Sequence, residues 1–208
     1  MISRQPLYVS YYTIGNGYEA EAAELVRTLD LHRLPHRVTG VTPGSGNDSW
    51  TWQRAALYKA EYIRDIKRVH LDRAIVWLDA DARVVQRPHL FEWLKCDLAA
   101  HWYRGKELLS STLYFGPGEA TLELLENWIE RNCEFPSERY GDQPNLHKVL
   151  CGRRDLTVVN LPPEYAWIDA GSGNDLSARA YGRRYPVIMQ MQASRRLKNP
   201  KRSAPPNS

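Results

Sequence analysis

The sequence is short of cysteine, contains no long apolar run and has no acidic residue after Asp175. Each shortage excludes something. Cys96, Cys133 and Cys151 cannot all pair and show no C-x-x-C spacing, so a disulfide framework is not expected and a reducing compartment is. No stretch approaches the roughly 20 apolar residues that a membrane-spanning helix needs. Met1 to Leu7 offers no apolar core for a signal peptide. The expectation is a soluble, cytoplasmic chain with no membrane partner.

The missing acids have a second consequence. Beyond Asp175 lie Arg179, Arg183, Arg184, Arg195, Arg196, Lys198, Lys201 and Arg202 with nothing to offset them. The chain as a whole is at +4, so the segment up to Asp175 is at −4. A basic segment set apart in this way suits an anionic partner such as a diphosphate, a nucleic acid or a membrane surface. For the last ten residues, 199–208, a solvated flexible tail is the plainer reading.

What is present is enough for one domain. At 208 residues and 24.0 kDa the chain can bury a sizeable core. Its seven Trp and twelve Tyr serve as core filling or as stacking surfaces for bases and sugars. The most informative stretch is Ala74 to Asp81, Ala-Ile-Val-Trp-Leu-Asp-Ala-Asp. Its continuous apolar run reads as a strand buried on both faces, inside a parallel sheet. In open α/β sheets ligands sit beyond the carboxyl ends of the strands, where Asp79 and Asp81 emerge. An extended chain there would put both carboxylates on one side. Two hard oxygen donors suit Mg²⁺ or Mn²⁺, ions that usually arrive on a diphosphate. Capping of the strand and the next turn is the structural alternative.

Around this stretch the pattern alternates strand and helix. Leu7 to Thr13 is the first strand, followed by a Gly15-Asn16-Gly17 turn and a helix from Tyr18 to Leu31 with Ala22, Leu25, Val26 and Leu29 on one stripe. The lone Gly-x-Gly lacks the third glycine of a dinucleotide fingerprint. His36 to Thr42 is the second strand, and Pro43 to Ser49 is a loop. A helix from Trp50 or Thr51 to Arg68 carries Trp52, Ala56, Lys59, Ile63 and Ile66 on its inward stripe, where Lys59 either snorkels outward or meets a phosphate. Ala82 to Gln86 is a short strand and Pro88 to Leu94 a short helix. Strands follow at Asp97 to His101 and Ser110 to Phe115. A structural helix spans Glu119 to Asn132, with Leu122, Leu125, Trp128 and Ile129 inward, and another helix opens at Asp142, where the aspartate is equally a good N-cap. Leu156 to Asn160 and Tyr185 to Met191 are the last strands, with a glycine-bearing loop at Gly171 to Asp175 between them.

Taken in order, these motifs resemble the GT-A fold glycosyltransferases, family 8-like and of bacterial or phage type. The resemblance rests on the strand ending in Asp79-Ala80-Asp81, on Trp52-x6-Lys59-x3-Ile63 before it, and on Leu109-Ser-Ser-Thr-Leu113, Asp142-Gln143 and Leu161-Pro-Pro-Glu-Tyr165 after it. It covers roughly residues 6 to 198. The fold implied is α/β, one GT-A-like (Rossmann-like) domain over 1–198 with a mixed, mostly parallel sheet flanked by helices. The activity implied is metal-dependent transfer of a hexose or pentose, with retention, from a nucleotide diphosphate sugar, the expected donor being a UDP-sugar. Carried over residue by residue, Tyr11, Tyr12 and Thr13 would face base and ribose, and Lys59 phosphate or nucleotide. Asp79 would take ribose or metal, and Asp81 the metal. Ser111 and Thr112 would lie along the donor sugar, which Asp142 and Gln143 would position as the catalytic pair. Relatives carry a histidine as third metal ligand near the end of the final strand; this chain has Gln190 and Gln192 there, and Gln190 is the substitute, an uncharged amide ligand. Ser194, Arg195, Arg196 and Lys198 would hold the diphosphate, arginine through its bidentate fork.

The acceptor is open: the basic C-terminal segment allows DNA, for instance a hydroxymethylated base, and a small molecule, protein or glycan fits as well. Two other classes compete. A nucleotidyltransferase would carry a Gly-rich, basic signature after its first strand, which Gly15-Asn16-Gly17-Tyr18-Glu19 matches poorly. A non-catalytic nucleic-acid-binding module would use the basic tail, against which the aromatics are scattered.

Overall fold

The computed structural model describes residues 5–42, 52–136, 142–169 and 175–193. The main sheet has six strands in the order β2-β1-β3-β6-β5-β7, formed by β1 (Leu7–Thr13), β2 (His36–Val41), β3 (Ile75–Leu78), β5 (Leu98–Tyr103), β6 (Glu107–Phe115) and β7 (Val158–Asn160). Pairing is parallel except along β6, which runs against β3 on one side and β5 on the other. The carboxyl ends of β1, β2, β3 and β5 therefore share one edge of the sheet. A second sheet, β4-β9-β8, joins β4 (Ala82–Val84), β9 (Ile188–Gln190) and β8 (Trp167–Ile168), and sets β9 directly beside the residues that follow Asp81.

Two cores explain the alternation along the strands. Leu7, Val9 and Tyr11 of β1 point to one face with Ile75 and Trp77. There they meet Ala60, Ile63 and Ile66 of α2 (Trp52–Val69), Leu124, Leu125 and Trp128 of α3 (Glu119–Glu134) and Leu146 of α4 (Asp142–Gly152). Tyr8, Val76 and Leu78 point to the other face, covered by Leu25 and Leu29 of α1 (Glu19–Leu31) and by Phe91, Tyr165 and Ile188. Strand β3 is buried at all four positions because helices or the small sheet cover both of its faces. The result is a three-layer α/β domain with a mixed, mostly parallel sheet, as the sequence implied.

Several boundaries shift. The turn of α3 that is buried contains Leu124 in place of Leu122, and α1 buries Thr28 in place of Val26, its hydroxyl accepting from Val84 N–H at 3.1 Å. Residues Pro88 to Leu94 form a 3₁₀ turn over His89–Glu92 in place of an α-helix. A short helix that periodicity did not reveal, α5 (Leu176–Tyr181), is capped by the Asp175 carboxylate, which accepts from Ala178 N–H at 2.7 Å. The loop readings at Pro43 to Ser49 and over 171–174, and the tail over 199–208, lie outside the described residues. Among the described residues no helix is long and apolar enough to cross a membrane.

Candidate active site

The chain does not stay extended beyond β3. Ala82 N–H donates to Asp79 carbonyl oxygen at 2.9 Å, closing a turn over Asp79–Ala82. The two carboxylates thus take different surroundings, where a period of two would have paired them. Asp79 Oδ1 accepts from Trp77 Nε1–H at 2.9 Å and sits 3.1 Å from Lys59 Nζ. Lys59, buried on α2, also lies 2.9 Å from Asp142 Oδ2 and 5.3 Å from the centre of the Trp77 ring. Its ammonium does not snorkel to solvent; it is shared by two carboxylates. Burial alone would pull its pKa down, but Asp142 and then Asp79 outweigh this and hold it above the ordinary lysine value.

The second feature is a wide bulge in β6. Adjacent residues Ala100 and His101 of β5 face Leu113 and Leu109 of β6, so Ser110, Ser111 and Thr112 drop out of that ladder. Residues on which sequence reasoning had placed catalysis or binding take up hydrogen bonds to these three. Ser110 N–H donates to Gln143 Oε1 at 3.2 Å, and Lys59 Nζ donates to the Ser110 carbonyl and hydroxyl, both at 3.2 Å. Asp79 N–H donates to Ser111 O at 3.0 Å, and Gln190 Nε2 donates to Thr112 Oγ1 at 2.9 Å. The bulge joins β3, α2, α4 and β9 at one point. Gln143 is held at its other end by Glu107, whose Oε1 accepts from Nε2 at 2.9 Å.

Asp81 is the less compensated carboxylate. Its Oδ2 accepts from Ala193 N–H at 2.6 Å, and burial, then the charge of Asp79, push its pKa up to about 6. Gln190 pairs across from Ala82 in the adjacent strand, and its Oε1 is buried without a partner among the described residues. Among the described residues no three of His, Cys, Asp or Glu converge on one point. The donors at hand are two carboxylates and one orphaned amide oxygen, a hard-oxygen set that fits Mg²⁺ or Mn²⁺ when phosphate oxygens complete the shell.

At the end of β1 the expected residues divide. Tyr11 is a core residue: its ring packs on Tyr58, Tyr62 and Trp77, and its hydroxyl donates to Ala55 O. Burial, then Asp142 and Asp79, keep that phenol protonated. Tyr12 lies on the opposite face against Gly40, where a Cβ would meet its hydroxyl at 2.9 Å. The buried Thr13 hydroxyl accepts from Asn16 Nδ2. Ser194, Arg195, Arg196 and Lys198 lie outside the described residues. Sequence reasoning missed Trp77, Ser110 and Glu107. Trp77 could have been found, since it shares a strand face with Asp79.

No family model and no curated protein matches the chain. Its fold, however, is that of GT-A-like glycosyltransferases. It is similar to a glycosyltransferase involved in the glycosylation of the major capsid of PBCV-1, with a TM-score of 0.67 at 11% identity over 96% of this chain and 100% of that one. It is also similar to the galactosyltransferase LgtC in complex with donor and acceptor sugar analogs, at 0.51 and 12% over 97% of each chain. The glycosyltransferase GlyE of Streptococcus pneumoniae gives 0.55 at 14%, over 90% of this chain and 55% of its own.

Proposed function

We propose that this chain is a glycosyltransferase that takes a sugar from a nucleotide diphosphate sugar, a UDP-sugar by expectation, with a divalent cation between protein and diphosphate. The observation that carries the reading is the Lys59 ammonium shared by Asp79 and Asp142 at the carboxyl end of β3, with the buried Asp81 two residues on and Gln190, its Oε1 without a partner, in the strand beside it, in a domain of GT-A-like fold. Asp81 and Gln190 Oε1 would hold the cation, with Asp79 beside them. When bound, the cation supplies positive charge where the departing diphosphate gathers negative charge. Lys59 fixes Asp79 and Asp142 relative to each other. Gln143, tied to Ser110 and Glu107, fixes the start of α4, so that Asp142 and the bulge present a rigid wall to the donor sugar. Retention at the anomeric carbon is the stereochemical expectation, read by proton NMR of the product.

The test is thermal stabilisation by a panel of nucleotides and nucleotide sugars with and without Mn²⁺, on the native chain and on Asp81→Asn. A ligand at about 100 Kd adds roughly 2.7 kcal/mol to the folded state. A Mn²⁺-dependent shift with one nucleotide that disappears in Asp81→Asn supports the reading. No shift with any nucleotide overturns it.

A further inference from the structure

Resting on that reading for the neighbouring donor site, we propose that the β5–β6 hairpin and α5 form the acceptor face of the crevice, and that the acceptor carries a phosphodiester chain. Leu78, the last residue of β3, pairs with Thr112, so β6 from Glu107 to Ser111 runs past the carboxyl end of β3. The hairpin turn between β5 and β6 therefore overhangs the same edge as Asp79. Helix α5 is fastened to that turn. Tyr103 hydroxyl donates to Leu176 O at 3.2 Å, Arg104 N–H donates to Tyr181 Oη at 2.7 Å, and the Tyr103 and Tyr181 rings meet edge-on at 5.8 Å. Beneath them His101 is a strut. Its Nδ1–H donates to Leu161 O at 2.8 Å, and its Nε2 accepts from the Tyr181 hydroxyl at 2.9 Å.

The charge on this face has one sign. Segments 98–106 and 176–193 contain no Asp or Glu, while Arg104, Lys106, Arg179 and Arg183 are exposed. None of these four has a carboxylate partner among the described residues, whereas Arg184 is paired with Glu164 at 2.8 Å. The acids at its border are engaged: Glu107 accepts from Gln143, Asp175 caps α5 and accepts from Trp167, and Glu164 pairs with Arg184. Arg104 also holds an unfavourable backbone, φ 53°, next to Gly105 at φ 71°. That turn normally takes Asn, Asp or Gly at both positions. A long cation there costs stability in the turn and gains nothing in packing, apart from lying 5.4 Å over the Tyr103 ring. Dispersed, exposed cations on two joined segments match a chain of phosphates better than one buried phosphate, because each interacts with a separate charge and releases its counterions.

The experiment is fluorescence anisotropy of a labelled twelve-residue oligothymidylate with the full chain from 50 to 300 mM salt, beside inorganic polyphosphate as competitor. The variant is Arg104→Asn with Lys106→Gln and Arg179→Gln; asparagine tolerates the left-handed turn, so folding is kept or improved. The expected result is at least tenfold weaker binding and a log–log salt slope lower by about 2, at roughly 0.7 per phosphate contact on a single strand. Oligothymidylate bound tenfold tighter than polyphosphate of equal charge assigns a nucleic acid; equal binding assigns a phosphate chain of any source. The proposal is overturned if nothing binds at 50 mM salt. It is also overturned if the triple variant binds like the native chain while neutralising Lys198, Lys201 and Arg202 abolishes binding. The Mn²⁺-dependent nucleotide shift, measured on the same variant, is expected unchanged, so failure of the donor reading and failure of the acceptor face are seen separately.

Discussion

Lys59 Nζ and Asp142 Oδ2 lie 2.9 Å apart with both side chains 7% exposed, and the same ammonium lies 3.1 Å from Asp79. A helix 83 residues earlier in the chain thereby fixes the start of α4 against the end of β3. Lys59→Met leaves the buried Asp142 and its neighbour Asp79 without their shared cation. We expect a loss of about 3–5 kcal/mol in urea unfolding, with part of it recovered on adding Asp142→Asn. Recovery of nothing would show that the pairing is not what stabilises this junction.

Asp81 is expected to make the opposite trade. Its pKa of about 6 in the fold lies above the ordinary carboxylate value, so the charged form is disfavoured by folding. Below about pH 4 it is protonated folded or unfolded and costs nothing; as pH rises through 6 the penalty grows to its full value. Asp81→Asn should therefore raise the unfolding free energy at pH 7 to 8 by something on the order of 2 kcal/mol, with the gain fading towards pH 4. A destabilised variant at pH 7.5 would contradict this environment for Asp81.

Gln190 offers a sharper probe of the cation. Gln190→Met keeps volume and removes the orphaned amide oxygen together with the bond to Thr112. Stability should change by less than about 1.5 kcal/mol, while Mn²⁺ binding in the presence of UDP, followed by calorimetry, should weaken about tenfold or more. Unchanged Mn²⁺ affinity would remove Gln190 from the ligand set.

Lys67 is a second fully buried lysine, with a role that is structural throughout. Its ammonium donates to the carbonyls of Leu71, Arg73 and Gly116 at 3.1, 2.8 and 2.7 Å, tying the end of α2 to the approach to β3 and to the end of β6. Lys67→Met strands three carbonyl oxygens and should cost about 3 kcal/mol or more in thermal unfolding. Its nucleotide shift, corrected for the lower melting point, should persist.

Much of the architecture was legible in the sequence because it is written in local periodicity. Leu7 to Thr13 reads as a strand from its aromatic and β-branched residues, and it is one to the residue. The stripe through Lys59, Ile63 and Ile66 turns one face of α2 inward whatever the lysine does there. The apolar run before Asp79 demands burial on both faces, and that demand puts the Asp-x-Asp at the end of a strand. What local pattern cannot express is partnership across the chain. That Lys59 would meet carboxylates and that Tyr11 would spend its hydroxyl on Ala55 depend on how α2 packs on the sheet, and that Gln143 would be anchored to Glu107 and to a freed Ser110 N–H depends on a bulge in β6. The bulge arises only when β6 must pair with β3 on one side and β5 on the other, and no window of sequence contains both partners. The sequence by itself determined which residues stand at the edge of the sheet; tertiary packing decided which of them hold one another and which remain for a ligand, because a buried polar group takes whatever partner the fold delivers.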